Sequence, residues 1–406
     1  MKIAFLTQSY PPMISGAALV VQHLAQGMAA RGHEVLVIAA SDTGRGYFTQ
    51  EPGLKMVRLQ STPNPSRANQ HFISWAYADI LYELRTFAPD VIHLHDSLSV
   101  GLAGILAGKK LGVPLALTTH QLPWFVSAYL PDVPGLRKGV ENALWQYCRW
   151  LHRQTDQFIS PTPTTAKVIE EHAGFRPVAL SNGMDLDRFS PQPLEPAKRL
   201  HLCQRFGLDP ERPVILHVGR LDMDKQVNLV VQAAAKAMHN SVAQLLVVGD
   251  GQLRERLIEL AEWYGIGDRS HFPGFVQPTD ELPNIYRMAT VFVTGSEIET
   301  QGLVVLEAMG SGLPVVAVRA TCVPEIVHDG INGYLVPPKD VDAMAKHLVD
   351  VLCDRACARQ MGLEGRQIAE QHSRPRSLDR HETLYQMLCG EKVRQRSRLP
   401  FAVNAF

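Results

Sequence analysis

Two glutamates, Glu299 and Glu307, stand eight residues apart in the stretch GSEIETQGLVVLEAMGSGLPVV, where a polar segment gives way to an apolar, helix-forming run. TVFVTG reads as a buried strand, SEIETQ as its exit loop, and GLVVLEAMGSG as a helix ended by Gly312, with Pro314 opening the next strand. A helix start leaves backbone N–H groups without intrahelical partners, so the amides of Gly302 and Leu303 form an anion site. Glycine at 302 lets a phosphate come close to the backbone. At about 100° per residue the two glutamates cannot share a helix face, so they are expected to hold different parts of one ligand. Carboxylates accept hydrogen bonds from hydroxyls, which sugars and riboses offer in pairs. On spacing alone, a loop acid favoured by the helix dipole (Glu299) and a solvated helix position (Glu307) fit equally well.

HVGRLDMDKQ places charge at another strand exit: Gly219 turns the chain, and Arg220 and Lys225 follow before a helical run. Two cations there suit the charge of a diphosphate leaving group, neutralised without a metal. Two exposed surface cations are the plainer alternative. Asp222 and Asp224, like Asp185 and Asp187, form the D-x-D pattern that holds Mg²⁺ or Mn²⁺ in some transferases. The adjacent Arg and Lys argue against a cation site, and no metal is expected.

The first half carries SYPPMISGAA, VIHLHD and ALTTHQLPWF. Gly16 lies between the first strand and its helix, where a backbone can approach a phosphate, although the turn alone also explains it. His93 and His95 share one side of a strand and read as satisfied polar groups near a sheet edge rather than metal ligands. His120 follows a strand and precedes an apolar, aromatic loop, Leu122 to Phe125. A histidine there hydrogen-bonds or polarises a substrate hydroxyl, or simply packs at a domain edge. Farther on, VVGDG and HFPGFVQPTDELPNIY offer glycine turns consistent with a base and ribose resting on the second half.

Short β-branched runs alternate with helical patterns from end to end, which predicts an α/β fold of parallel sheets with helices on both faces. The pattern restarts: KIAFLTQSYPPMISGAALVVQHLAQGMAARGHEVLVI and PVILHVGRLDMDKQVNLVVQAAAKAM…QLLVVGD each read strand, loop, helix, strand. The Pro-, Asp- and Asn-rich stretch from Leu180 to Glu211 reads as a hinge between them. Expected domains are 1–185, 186–375, and a terminal helix in 376–406 that returns to the first domain and ends in a loosely held basic tail. Ligands bind beyond the carboxyl ends of strands in such sheets, so a central cleft between two facing domains is the expected site.

Lys plus Arg and Asp plus Glu number 40 each and 46% of the 406 residues are hydrophobic, which describes an ordinary globular protein and gives no footprint for nucleic acid. No apolar run reaches the roughly 20 residues that span a bilayer, so any membrane contact is peripheral. Six scattered cysteines and no signal-like series at the start suggest reduced thiols and a cytoplasmic location. Cys353 and Cys357 would share a helix face near His347, a poor zinc pattern.

Taken in order, the loop with Gly16, LAQGMAARGHEVLVI, DVIHLH, SNGMDLDRF, VGRLDMDKQ, VVGDG and ETQGLVVLEAMGSGLPVVA resemble the retaining nucleotide-sugar glycosyltransferases of family 4, over roughly Lys2 to Arg380. The resemblance implies the GT-B fold, two Rossmann-like doubly wound parallel-sheet domains facing a central cleft, and a nucleoside-diphosphate sugar donor, expected to be a UDP-sugar. It implies that Glu299 contacts the transferred sugar, Glu307 the ribose, and Arg220 and Lys225 the diphosphate, assisted by amides near Gly302, Leu303 and Gly16. It places His120 near the reacting carbon. Thr300 and Gln301 replace the Gly-Phe common in the family, and ETQG resembles the subset that glycosylates membrane diacylglycerol. Ala17 stands where a second glycine is common.

Trp124, Phe125, Trp145 and Trp150 gather with Arg137, Lys138, Arg149 and Arg153, a mixture suited to the acceptor side and to an anionic membrane surface. Val140, Leu144, Tyr147 and Leu151 are also spaced as a core-facing stripe. A soluble, polysaccharide or natural-product acceptor, and a sugar-nucleotide epimerase on the same architecture, are the alternatives.

Overall fold

The computed structural model describes the whole chain except residues 14, 65–69, 128, 132, 278–280 and 399–406, with side chains described through Gly390. Its strands are β1 Lys2–Leu6, β2 Glu34–Ala40, β3 Tyr47–Glu51, β4 Leu54–Leu59, β5 Thr62–Pro63, β6 His71–Phe72, β7 Val91–Leu94, β8 Leu115–Thr118, β9 Gln157–Ser160 and β10 Val178–Ala179. They continue with β11 Val214–Val218, β12 Gln244–Val248, β13 Ser270–Gly274, β14 Val291–Thr294, β15 Val315–Val318 and β16 Gly333–Val336. The chain divides into two compact units: residues 1–122, 142–183 and 375–406, and residues 123–141 and 184–374.

The first unit holds an eight-stranded sheet in the order β10-β9-β8-β7-β1-β2-β4-β3. Its pairings are parallel except at the edge, where β3 returns antiparallel to β4. Continuous apolar strands such as EVLVIAA are buried on both faces, as parallel strands covered by helices must be. The second unit holds a six-stranded, wholly parallel sheet, β13-β12-β11-β14-β15-β16. Period-two alternation divides its core: Leu216, Phe292 and Val315 pack on one face, Ile215, Val293 and Val316 on the other.

Strand order reverses between β1 and β7 in the first unit and between β11 and β14 in the second. Helices leave such a pair toward opposite faces and open a crevice at the carboxyl ends. In each unit taken by itself, the residues after these strands, β1 and β7 in the first and β11 and β14 in the second, are the ones a ligand of that sheet would meet.

The helix Arg374–Arg398 docks on the first unit: Tyr385 is fully buried, and Arg31 pairs with Asp379 at 2.7 Å and Glu382 at 2.8 Å. The final residues of the basic tail, 399–406, lie outside the described residues.

Three expectations are corrected. Cys353 ends one helix and Cys357 belongs to the next, with Asp354 capping between them, so they share no helix face. His93 lies at the middle of its sheet, on β7 between β1 and β8, not near an edge. In the helix Leu136–Gln154 only Trp145 and Leu151 are buried, so the anticipated stripe through Val140, Leu144 and Tyr147 is not core.

Candidate active site

In the second unit, the exits of β11 and β14 carry the charged residues. After β11 a short 3₁₀ turn, Met223–Lys225, is followed by Gln226 in a left-handed conformation, and the next helix begins at Val227. This backbone runs against the β14 exit: a Cβ added to Gly295 would lie 2.6 Å from the Gln226 carbonyl oxygen, so glycine permits the approach. The approach brings Lys225 Nζ to 2.6 Å from Glu299 Oε1 and 3.4 Å from Ser296 Oγ. Arg220 donates from Nη2 to Asp224 Oδ2 at 2.8 Å and from Nη1 to Asp222. Neither expected diphosphate cation is a bare surface charge. Each is oriented by carboxylates, and the Asp224 side chain is fully buried.

The helix Leu303–Gly310 starts from Gly302, whose φ of 72° is the left-handed turn that glycine makes without strain. Its hydrogen-bond ladder begins with Val305 N and Leu306 N, both on Gly302 O at 3.0 Å. The amides of Gly302 and Leu303 precede that ladder, as an anion site requires. Glu307 is not a freely solvated helix position: Tyr286, fully buried on the helix Glu281–Met288, donates its hydroxyl to Glu307 Oε2 at 2.8 Å. Burial pushes the Glu307 carboxyl up to about 7 against this hydrogen bond and the nearby Arg188 charge, both of which favour ionisation. A cleft of about 600 Å³ at the exits of β12 and β13 is lined in part by Asp250, Gly251, Gln252, Gly274 and Phe275.

The helix Pro123–Ser127, with Trp124 and Phe125, clusters with this second unit rather than with the first, where the expected boundary placed it. The Arg220 guanidinium lies 5.3 Å from the Phe125 ring centroid. Tyr129 accepts from Arg220 Nη1 at 3.3 Å and donates to Asp224 Oδ1 at 2.7 Å. Phe125, expected on the acceptor side, and Tyr129 thus both lie against Arg220.

In the first unit, Gly16 opens the helix Gly16–Ala30. Ser15 is the N-cap and takes Ala18 N at 3.0 Å, so the amides of Gly16 and Ala17 precede the ladder. His120, two residues past β8, stacks on His95 with ring centroids 5.2 Å apart, and its Nε2 lies 2.9 Å from His95 Nδ1. His93 is bound at 2.7 Å by both Tyr385 Oη and Thr118 Oγ1. Burial, reinforced by the like charge of His381, lowers His120 to about 4, and burial also holds His93 and His95 well below the usual imidazole range. His120 is therefore a neutral imidazole at pH 7, able to donate or accept one hydrogen bond.

The sequence reading missed Tyr129, Tyr286, Ser15 and the His93–Tyr385 pairing. It also missed His217, a buried histidine at the carboxyl end of β11 whose Nδ1 bonds Val293 O at 2.9 Å. A polar residue inside the apolar strand VILHV was the available signal for His217. Tyr286 and Tyr385 look like ordinary helix-face aromatics and offered none. Among the described residues no group of three or more His, Cys, Asp or Glu could hold a metal ion.

Known proteins agree with this architecture. A Glycosyltransferase Family 4 profile matches residues 14–188 and a Glycosyl transferases group 1 profile matches residues 201–368. The chain is 31% identical over 379 residues to sulfoquinovosyl transferase SQD2 of Arabidopsis thaliana, covering 91% of this chain and 70% of that protein. It is 30% identical to a GDP-mannose-dependent alpha-mannosyltransferase of Mycobacterium tuberculosis, covering 90% and 92%. Sucrose-phosphate synthase from Thermosynechococcus elongatus superposes with a TM-score of 0.79 at 23% identity, over 96% of this chain and 99% of that one. Anabaena HepE, solved with UDP and glucose, gives 0.72 at 21% identity, over 95% and 99%. The chain belongs to family 4, as a retaining glycosyltransferase that uses a nucleotide sugar and has the GT-B fold.

Proposed function

We propose that the protein transfers a hexose from a UDP-sugar to a hydroxyl of a membrane lipid such as diacylglycerol, with retention and without a metal. The observation that carries the donor assignment is the convergence of Arg220, Lys225 and Glu299 at the β11 and β14 exits, beside the Gly302–Leu303 amides. In this reading Arg220, Lys225 and those amides, assisted by the Gly16 amide, meet the charge that grows on the diphosphate as the anomeric C–O bond breaks. Glu299 accepts from sugar hydroxyls, and Glu307 from the ribose. His120, neutral, hydrogen-bonds the sugar near the reacting carbon. The acceptor oxygen bonds to the anomeric carbon on the face the phosphate leaves, and its proton passes to the leaving phosphate oxygen. No second, closely opposed carboxylate nucleophile is required, unlike in a retaining glycosidase.

The lipid acceptor rests on the segment 123–154. Val126, Tyr129, Val133, Leu136 and Trp150 are exposed there, with Arg137, Lys138 and Arg153 also facing solvent. Apolar and aromatic groups interleaved with cations suit an anionic bilayer surface. No helix among the described residues is long and apolar enough to cross a membrane, so the contact would be peripheral. An alpha-monoglucosyldiacylglycerol synthase of Streptococcus pneumoniae is 24% identical over 340 residues, whereas an N-acetyl-alpha-D-glucosaminyl L-malate synthase of Bacillus anthracis is 25% identical over 390. The test is transfer from labelled UDP-, GDP- and ADP-sugars into lipid extract mixed with soluble acceptors, followed by organic extraction. Label from the UDP-sugar in the organic phase is expected. Label confined to new water-soluble products would overturn the lipid acceptor, and conversion of the donor with no acceptor would indicate an epimerase.

A further inference from the structure

Beyond the charged residues, one backbone feature bears on Glu299. Thr321, in the turn after β15, has a φ of 42°, and among the described residues it is the only β-branched residue on the positive side. Branching at Cβ makes this region unfavourable, whereas glycine would occupy it freely. The Thr321 hydroxyl accepts from Glu299 N at 3.0 Å. The next residue, Cys322, is fully buried and donates its thiol to Glu299 O at 3.3 Å. Both polar groups of the Glu299 residue's backbone are thus held from one strained turn, leaving its side chain to Lys225. Burial pushes the Cys322 thiol well up, so it keeps the proton it donates.

We propose that Thr321 is a positioning residue for the transfer reaction: its hydroxyl, held in a left-handed backbone that glycine would adopt more easily, fixes the Glu299 carboxylate against the transferred sugar. The inference rests on the reading of Glu299 as the sugar-gripping acid. Strain persists at functional sites where the surroundings over-determine it, and a hydroxyl is the feature that glycine could not supply here. A displacement of about 1 Å in a reacting group can cost about a hundredfold in rate.

The test compares Thr321→Ser, Thr321→Ala, Thr321→Gly and Glu299→Gln in the full chain, each checked for folding by circular dichroism. Turnover is measured with the preferred donor, and binding with whichever of UDP, GDP and ADP binds the unmodified protein tightest. Thr321→Ser is expected to keep kcat within about threefold. Thr321→Ala and Thr321→Gly are expected to lose about 10- to 100-fold in kcat while nucleotide affinity changes less than about twofold, because the nucleotide does not meet Glu299. If Thr321→Ala destabilises the fold, Thr321→Gly, which relieves the backbone, decides the matter. Full kcat in a variant lacking the hydroxyl, or equal loss in Thr321→Ser, overturns the inference. Full activity in Glu299→Gln overturns the site reading itself. An inactive Glu299→Gln beside an active Thr321→Gly overturns only the role of Thr321.

Discussion

Replacing Tyr286 by Phe should move the pH at which the protein gains affinity for its nucleotide. Tyr286 donates to Glu307 at 2.8 Å, and Glu307 already sits at about 7 because burial outweighs that bond. A hydrogen bond to a charged group contributes about 1.5 to 3 kcal/mol, and one pKa unit corresponds to about 1.4 kcal/mol. Losing the hydroxyl should raise Glu307 by a further 1 to 2 units, roughly. In the proposed reading an ionised Glu307 would accept from both ribose hydroxyls, whereas the protonated acid must give up part of that capacity. Affinity should therefore rise with pH through about 7 in the natural protein. In Tyr286→Phe the rise should shift to roughly 8 to 9.

Stability carries the opposite sign. The native carboxyl holds its proton from the ordinary value of 4.5 up to about 7, where the unfolded chain has lost it, so stability falls as pH rises through that window. In Tyr286→Phe the fall should extend to higher pH. Calorimetric titration with UDP from about pH 5.5 to 9.5, with Glu307→Gln as the baseline for the titration of UDP itself, reads the first effect. An unchanged midpoint in Tyr286→Phe, or a pH profile in Glu307→Gln identical to that of the natural protein, would refute the reasoning.

Three further outcomes are expected. Glu299→Ala or Arg220→Ala should abolish measurable turnover with the far-ultraviolet spectrum intact, and full activity in either would remove that residue from the site. Tyr129→Phe, which loses the hydroxyl between Arg220 and Asp224, should raise the donor KM about 3- to 10-fold without altering the fold, the effect of one partly exposed hydrogen bond to a charged group. An unchanged KM would mean that Arg220 is held adequately by Asp222 and Asp224 alone. Acid should destabilise the protein below pH 6.5: His217 titrates near 4 when folded because burial opposes its charge, so the unfolded chain takes up its proton first as pH falls. That is worth about 3 kcal/mol across the window for His217 taken singly. Urea unfolding at a series of pH values should show a shallower slope in His217→Gln, and an equal slope would show that the histidine is not held neutral.

What was legible in the sequence is local. Apolar runs such as VILHV and VFVT announce buried strands, Gly302 and Gly312 bracket a helix, and Arg220, Lys225, Glu299 and His120 sit in segments just past strand ends. Period and turn chemistry depend on neighbours a few residues away, so they can be read without knowing where the chain goes next. The same locality explains the misreading of Cys353 and Cys357: the Asp354 cap between them ends one helical pattern and begins another.

Which charges meet was decided by the sheet. Lys225 and Glu299 are 74 residues apart and come within 2.6 Å because β11 pairs with β14, bypassing β12 and β13. In the sequence Arg220 reads as a cation for a diphosphate, and Asp222 and Asp224 only as a D-x-D pattern that the adjacent Arg and Lys argue against as a metal site; only the turn after β11 shows the three as one ion cluster. The pKa of Glu307 and the neutrality of His120 come from burial and from Tyr286 and His381, which lie on other helices and are anonymous in the sequence. A residue's type and spacing state what chemistry it can do. Its charge state and partners are set by dielectric and distance, and both exist only once the chain has packed.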